Sequence, residues 1–210
     1  MKYSIGSSEG DFEPGSENKV LKNKLGITVE QDMIDAEDDL LFQLYEYVFD
    51  AGKSYEALNF QIIQNWHRLW LGNIYDWAGE LRTVNMSKGG FQFAGAPHIP
   101  KQIESFEQGY LSKFSDLGSY SEEALIHFLT ESHIEFILIH PFRDGNGRIS
   151  RLLMDVMVTQ AGFEPLDYSL MEQHKEYYFK SIQAGVGKDY QPLNRLMADI
   201  FKQSNLQGSV

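Results

Sequence analysis

Apolar residues recur at helical spacing along most of this chain. Between Val29 and about Asp50 the positions Ile34, Leu41, Leu44, Tyr45 and Val48 fall at intervals of three, four and seven, and Gly52 follows as a stop, which predicts a helix. A second helix is predicted from about Tyr55 to Leu71, with Ile62, Ile63, Trp66, Leu69 and Trp70 as its apolar stripe. Residues 82–100 break the rhythm: TVNM and FQF alternate as short strands do, and Gly89-Gly90 lie between them, so a β-hairpin is expected. Ile103, Phe106, Tyr110 and Phe114 restore helical spacing up to Gly118. Ser121 then offers an N-cap for a helix through Ile139 that is apolar enough to be buried on most sides, and it must stop at His140-Pro141 because the residue before proline avoids the α region. Ile149, Leu152, Leu153, Val156 and Met157 mark the next helix, closed by Gly162. Ser169 with Glu172 has capping-box spacing, and Leu193 to Phe201 suggests a short final helix. The expectation is a mostly α fold, a single helical domain over residues 19–203 with one small hairpin. It is preceded by a loosely ordered Gly-, Ser- and acid-rich segment, residues 1–18, and followed by a tail, residues 204–210.

Composition narrows the function. With 210 residues, 42% of them hydrophobic, the chain can bury a sizeable core. Cysteine is absent, which excludes disulfides, thiolate zinc and a cysteine nucleophile. No run of roughly 18 uncharged apolar residues exists and the N-terminal stretch lacks a signal-peptide core, so no membrane partner is expected and a cytoplasmic location is, with delivery into a host cell left open. A net charge of −12 argues against nucleic acid as a partner, because phosphate backbones require cationic faces. His67 and His98 have no metal-ligand spacing, and Trp66, Trp70 and Trp77 read as core rather than base-stacking residues.

One segment runs against the acidic background. HPFRDGNGRISR, residues 140–151, carries a net +2 and follows the buried helix directly. If a new helix starts near Gly147, the DGNG loop can turn backbone N–H groups toward one point at its N-terminus, which makes an anion hole. Arg148 and Arg151, at i and i+3, share a face of the first turn, where cations oppose the helix dipole unless an anion binds there. Asp144 is a hard oxygen ligand beside that point, suited to Mg²⁺ on phosphates, and His140 is the one group in the segment that exchanges a proton near neutral pH. Taken singly, each has a structural reading: a helix-end histidine, a turn-forming aspartate, a solvated basic face.

The same segment resembles, at every defined position, the HPFx(D/E)GNGRxxR signature of Fic domain proteins, a family named for filamentation induced by cyclic AMP. The resemblance implies a helical Fic fold and transfer of AMP from ATP, with Mg²⁺, to a Ser, Thr or Tyr hydroxyl of a target protein. It assigns His140 as the catalytic base, Phe142 as a buried anchor and Asp144 as the metal ligand. Gly145, Asn146 and Gly147 would hold the α- and β-phosphates, Arg148 the β-phosphate and Arg151 the γ-phosphate, with Arg143 at the variable position facing solvent. IYDWAGELRTVNMSKGGFQF, residues 74–93, is similar to the segment leading into the family's flap, a hairpin that docks an extended stretch of the target; Lys88, Gly89, Gly90 and Phe91 would form its docking tip. Family layout further puts Tyr177, Tyr178 and Asn194 toward the adenosine.

Two other functions compete with AMP transfer. One is a relative that removes AMP or transfers another phosphate-linked group; kinase-like relatives replace the second glycine of GNG, and Gly147 is intact. The other is an inactive nucleotide-binding module, which the retained His140 disfavours. Many relatives carry an inhibitory [S/T]xxxE[G/N] motif whose Glu pairs with the second motif arginine. The nearest match here, Ser119 to Glu123, is followed by Ala124 and reads as an ordinary first turn, and the segment from Ser169 to Phe201 offers no match. The chain thus resembles the antitoxin-regulated bacterial type, in which a small separate protein would bring a Glu to Arg151.

Overall fold

The computed structural model describes residues 4–5, 11–52 and 55–207. The chain clusters into two compact units that interleave along the sequence. The first contains the chain up to Tyr55, Phe60–Ile99 and Pro141–Asn146; the second contains Glu56–Asn59, Pro100–His140 and the chain from Gly147 onward.

In the first unit, α1 (Glu30–Val48) packs on α2 (Phe60–Leu71). The buried register of α1 is Met33, Glu37, Leu44 and Val48, spaced four, seven and four; Ile34 lies about 100° around the helix from Met33 and is 42% exposed, so it is not a core position. Glu37 is tolerated inside because its carboxylate accepts a hydrogen bond from the Tyr75 hydroxyl (2.8 Å) and its carbonyl one from Trp70 Nε1 (2.8 Å). The helix α2 starts at Phe60, five residues later than expected. Trp66 Nε1 donates to the Tyr55 hydroxyl at 3.2 Å, a contact that eleven residues of continuous helix, about 16 Å of rise, would forbid. Its buried face is Phe60, Ile63, Trp66, His67, Trp70 and Leu71, whereas Leu69 is 52% exposed; the inward face is rotated toward His67 and away from Leu69, about 200° around the helix from it.

The expected hairpin is present as β2 (Met86–Lys88) and β3 (Phe91–Gln92), antiparallel, with Ser87 opposite Gln92 and Lys88 opposite Phe91. The turn is Gly89-Gly90, both at positive φ, the geometry of a tight two-residue hairpin loop. A further strand, β1 (Ser4–Ile5), pairs antiparallel with the other edge of β2. Of the segment expected to be loose over residues 1–18, positions 1–3 and 6–10 lie outside the described residues; beyond β1, Ser16 is buried and hydrogen-bonds the Val20 carbonyl.

The second unit is built on α4 (Glu122–Ile139), α5 (Asn146–Gln160), α6 (Ser169–Gln173), α7 (Lys175–Ala184) and α8 (Gln191–Gln207), with α4 and α7 packed on α8. Ser121 Oγ caps α4 by accepting from Ala124 N–H, and the helix is buried on most sides, as its composition requires. The helix expected from Ile103 to Gly118 is instead α3 (Ile99–Gly109) followed by a 3₁₀ segment, Leu111–Ser119. Its buried residues Leu111, Phe114 and Leu117 repeat every three, the period of a 3₁₀ turn. The Ser169–Glu172 capping box does not form: Ser169 N–H donates to the Asp167 carboxylate, and Glu172 turns to Arg151. The last helix is longer than its apolar core suggested, and positions 208–210 of the expected tail lie outside the described residues. Among the described residues no helix is long and apolar enough to cross a membrane.

Candidate active site

The motif is contributed in parts. Its loop, Pro141–Asn146, belongs to the first unit and is held there by backbone hydrogen bonds. The Asn146 side chain accepts from Phe142 N–H (2.9 Å) and donates to the Phe142 carbonyl (2.8 Å), so its amide serves the loop and only its backbone can face a ligand. Phe142 is fully buried and stacks on His67 with ring centroids 4.1 Å apart, the anchor expected of it. Gly145 has φ +77°, and a Cβ there would stand 2.6 Å from the Trp70 ring, so only glycine fits. Its N–H is taken by Asp144 Oδ1 at 2.6 Å, so it is not one of the amides that would line an anion hole. Arg143, expected at the surface, is 3% exposed: the pinned loop turns this variable position inward. Asp144 is half-buried.

Two residues that the apolar pattern did not single out hold this loop. His67 Nε2 lies 3.0 Å from the Asp144 carbonyl, while its Nδ1 accepts from Gly79 N–H at 2.8 Å. Arg82 donates its backbone N–H to the Pro141 carbonyl (2.9 Å), and its guanidinium donates to the carbonyls of Val84 and Ala94 at the stem of the β2–β3 hairpin. The signal for His67 was its place in the same helical register as Ile63 and Trp70, where a polar side chain must be satisfied.

In the second unit, α4 ends on His140 in the left-handed conformation (φ 51°, ψ 60°), and the side chain is 3% exposed. Nδ1 lies 3.1 Å from the Ile137 carbonyl. A carbonyl only accepts, so Nδ1 carries the hydrogen and the lone pair of the neutral ring is on Nε2. The first turn of α5 presents Gly147, Arg148 and Arg151 half-buried, and a Cβ on Gly147 would meet nothing within 4 Å. Arg151 pairs with Glu172 at 3.1 Å and lies 5.9 Å from the centroid of the Tyr168 ring. His133, in α4, is fully interior: it shares a 2.8 Å hydrogen bond with the Tyr178 hydroxyl, and its Nδ1 has no hydrogen-bond partner. Burial, reinforced by Arg151, drives its pKa down to about 3, and burial pushes Tyr178 up to about 12. Tyr177 is 43% exposed and donates to the Pro192 carbonyl, and Asn194 Oδ1 is buried without a hydrogen-bond partner.

Among the described residues no group of three or more His, Cys, Asp or Glu could hold a metal by itself. One carboxylate with phosphate oxygens is instead the ligand set Mg²⁺ takes, and Asp144 fits it: Oδ1 is oriented by the Gly145 N–H, and the group keeps accepting capacity.

The Fic/DOC family profile matches residues 57–158. The chain is 32% identical over 147 residues to a protein adenylyltransferase Fic from Nematostella vectensis and 30% identical over 142 residues to one from Culex quinquefasciatus. These alignments cover 68% and 66% of the chain but 32% and 26% of the relatives, so the chain spans about a third of their length or less. In fold it is similar to the N-terminal Fic domain of a Bartonella effector protein from Bartonella sp. AR 15-3 (TM-score 0.77, 22% identity, 93% of this chain and 92% of that one). It is also similar to the BepC protein of Bartonella tribocorum, solved with bound AMPPNP (TM-score 0.73, 22% identity, 86% and 91%).

Proposed function

Because the chain belongs to the Fic/DOC family, we propose that it transfers AMP from ATP to a Ser, Thr or Tyr hydroxyl of a target protein. The observation that carries this reading is the tautomer of His140: with Nδ1–H committed to Ile137, Nε2 is the nitrogen able to take the target's proton. The hydroxyl oxygen attacks the α-phosphorus, the bond from that phosphorus to the α,β-bridging oxygen breaks, and pyrophosphate leaves. The first-turn amides of α5 with Gly147, Arg148 and Arg151 hold the polyphosphate, and the absence of a Cβ at Gly147 lets the backbone approach it closely. Asp144 would hold Mg²⁺, which supplies charge neutralisation at the phosphates. The hairpin tip Lys88, Gly89, Gly90 and Phe91 docks the target as an added strand; since β1 already covers one edge of β2, the target pairs along β3 or replaces β1. A small partner protein bringing a Glu to Arg151 would silence the enzyme, and it would have to displace Glu172 to do so.

His140→Ala tests the reading with α-labelled ATP and a cell lysate as the source of targets. Transfer should fall by about 10²–10⁴-fold, the usual contribution of a general base, while ATP affinity stays within about threefold. A variant retaining more than about a tenth of wild-type transfer would rule out His140 as the base.

A further inference from the structure

We propose that His67 is a positioning residue that sets the orientation of the Asp144 carboxylate through the Asp144–Gly145 peptide; this rests on the adenylyl-transfer reading for its use. The ring is completely buried in α2. Gly79 N–H can only donate, so Nδ1 is the acceptor, the hydrogen of the neutral ring is on Nε2, and Nε2–H donates to the Asp144 carbonyl at 3.0 Å. Both ring nitrogens are used, and one face is stacked on Phe142, so the imidazole has a single orientation. The carbonyl it holds belongs to a rigid peptide plane whose N–H, on the opposite side, is that of Gly145. That N–H donates to Asp144 Oδ1 at 2.6 Å. Fixing the plane from the His67 side therefore fixes the direction from which the carboxylate is gripped.

The same ring ties the loop to the segment that leads into the hairpin. Gly79 lies three residues before Arg82, whose N–H bonds the Pro141 carbonyl and whose guanidinium closes the hairpin stem. The motif loop is thus gripped at Pro141 by Arg82 and at Asp144 by His67, whose other ring nitrogen is held by Gly79 of the Arg82 segment. Ordinary core packing would account for the stacking on Phe142 but not for a buried imidazole with a donor on one motif carbonyl and an acceptor on Gly79.

Two half-replacements separate the bonds. His67→Gln places an amide NH₂ near Nε2 and keeps the donor to Asp144 while losing the Gly79 acceptor; His67→Asn places an oxygen near Nδ1 and does the reverse. Two quantities are measured on the full chain: the gain in ATP affinity on adding Mg²⁺, and the exchange rate of the Gly145 amide without nucleotide. In His67→Asn the Mg²⁺-dependent gain should fall about tenfold, as is usual on losing a residue that orients a metal ligand, and Gly145 exchange should rise about tenfold. In His67→Gln both should stay within about threefold of wild type, with melting temperatures of the two variants alike. Equal losses in the two variants, or losses that follow melting temperature, overturn the proposal. If His67→Asn does not fold, His67→Gln decides alone, because a larger than threefold loss there contradicts a role carried by the Asp144 bond. A wild-type protein without Mg²⁺-dependent ATP binding would refute adenylyl transfer, while the Gly145 exchange rates would still judge the assignment of His67.

Discussion

Acid should unfold this protein through His133, and the size of the effect follows from its burial. The imidazole has a pKa of about 3 in the folded chain against an ordinary value of 6.5, first because burial disfavours the cation and second because Arg151 repels it. The folded value is the lower one. Between pH 6.5 and pH 3 the unfolded chain therefore binds more protons, and stability falls as the pH drops through that window. Integrating the linkage relation from pH 7 to pH 5 gives a loss of about 2 kcal/mol from this residue. His133→Gln removes the titration while leaving an amide NH₂ near Nε2 for the Tyr178 hydroxyl; it gives up nothing at Nδ1, which has no hydrogen-bond partner. Urea unfolding of both proteins at pH 7 and pH 5 makes the comparison, because every other titrating group is common to the two. The wild type should lose about 2 kcal/mol more than the variant over that interval. Parallel losses, within about 0.5 kcal/mol, would show that His133 is charged in the folded state or far more hydrated than its position implies.

Gly145→Ala should cost roughly 2–4 kcal/mol in urea unfolding, from the positive φ and from the Trp70 ring 2.6 Å from the new methyl group. Gly147→Ala has open space around it and should leave stability within about 1 kcal/mol while lowering ATP affinity; comparable destabilisation of the two would contradict this division of roles. Asp144→Ala should abolish the Mg²⁺-dependent part of ATP binding measured by titration and leave binding in EDTA nearly unchanged. Glu172→Gln should raise ATP affinity by no more than about fivefold, because a pair with side chains 30% and 56% exposed is worth at most about 1 kcal/mol. A silent protein switched on a hundredfold or more by that substitution would place the inhibitory group inside the chain and remove the need for a partner.

The elements read most accurately from sequence were those whose signal is local. The Ser121 cap, the stop at His140-Pro141 and the Gly89-Gly90 turn each depend on chemistry within a few residues, and each stands where the residues put it. The motif was legible for the same reason: the loop after α4 and the N-terminus of α5 are contiguous, and their amides, arginines and carboxylate need no distant partner to be recognised. Periodicity located helices but not always their faces. Ile34 and Leu69 are exposed, while Glu37 and His67 are buried, because the inward register is chosen by what lies opposite and by whether a polar group finds partners there. Those partners are remote in sequence: Glu37 meets Tyr75, His67 meets Asp144, Arg82 meets Pro141 and Arg151 meets Glu172. Polar contacts between groups remote in sequence leave no periodic trace, since either end can be supplied by several residue types. The residues of the proposed chemistry are therefore twelve consecutive ones and could be read in sequence, while the means of holding their loop in place was decided only when the chain closed on itself.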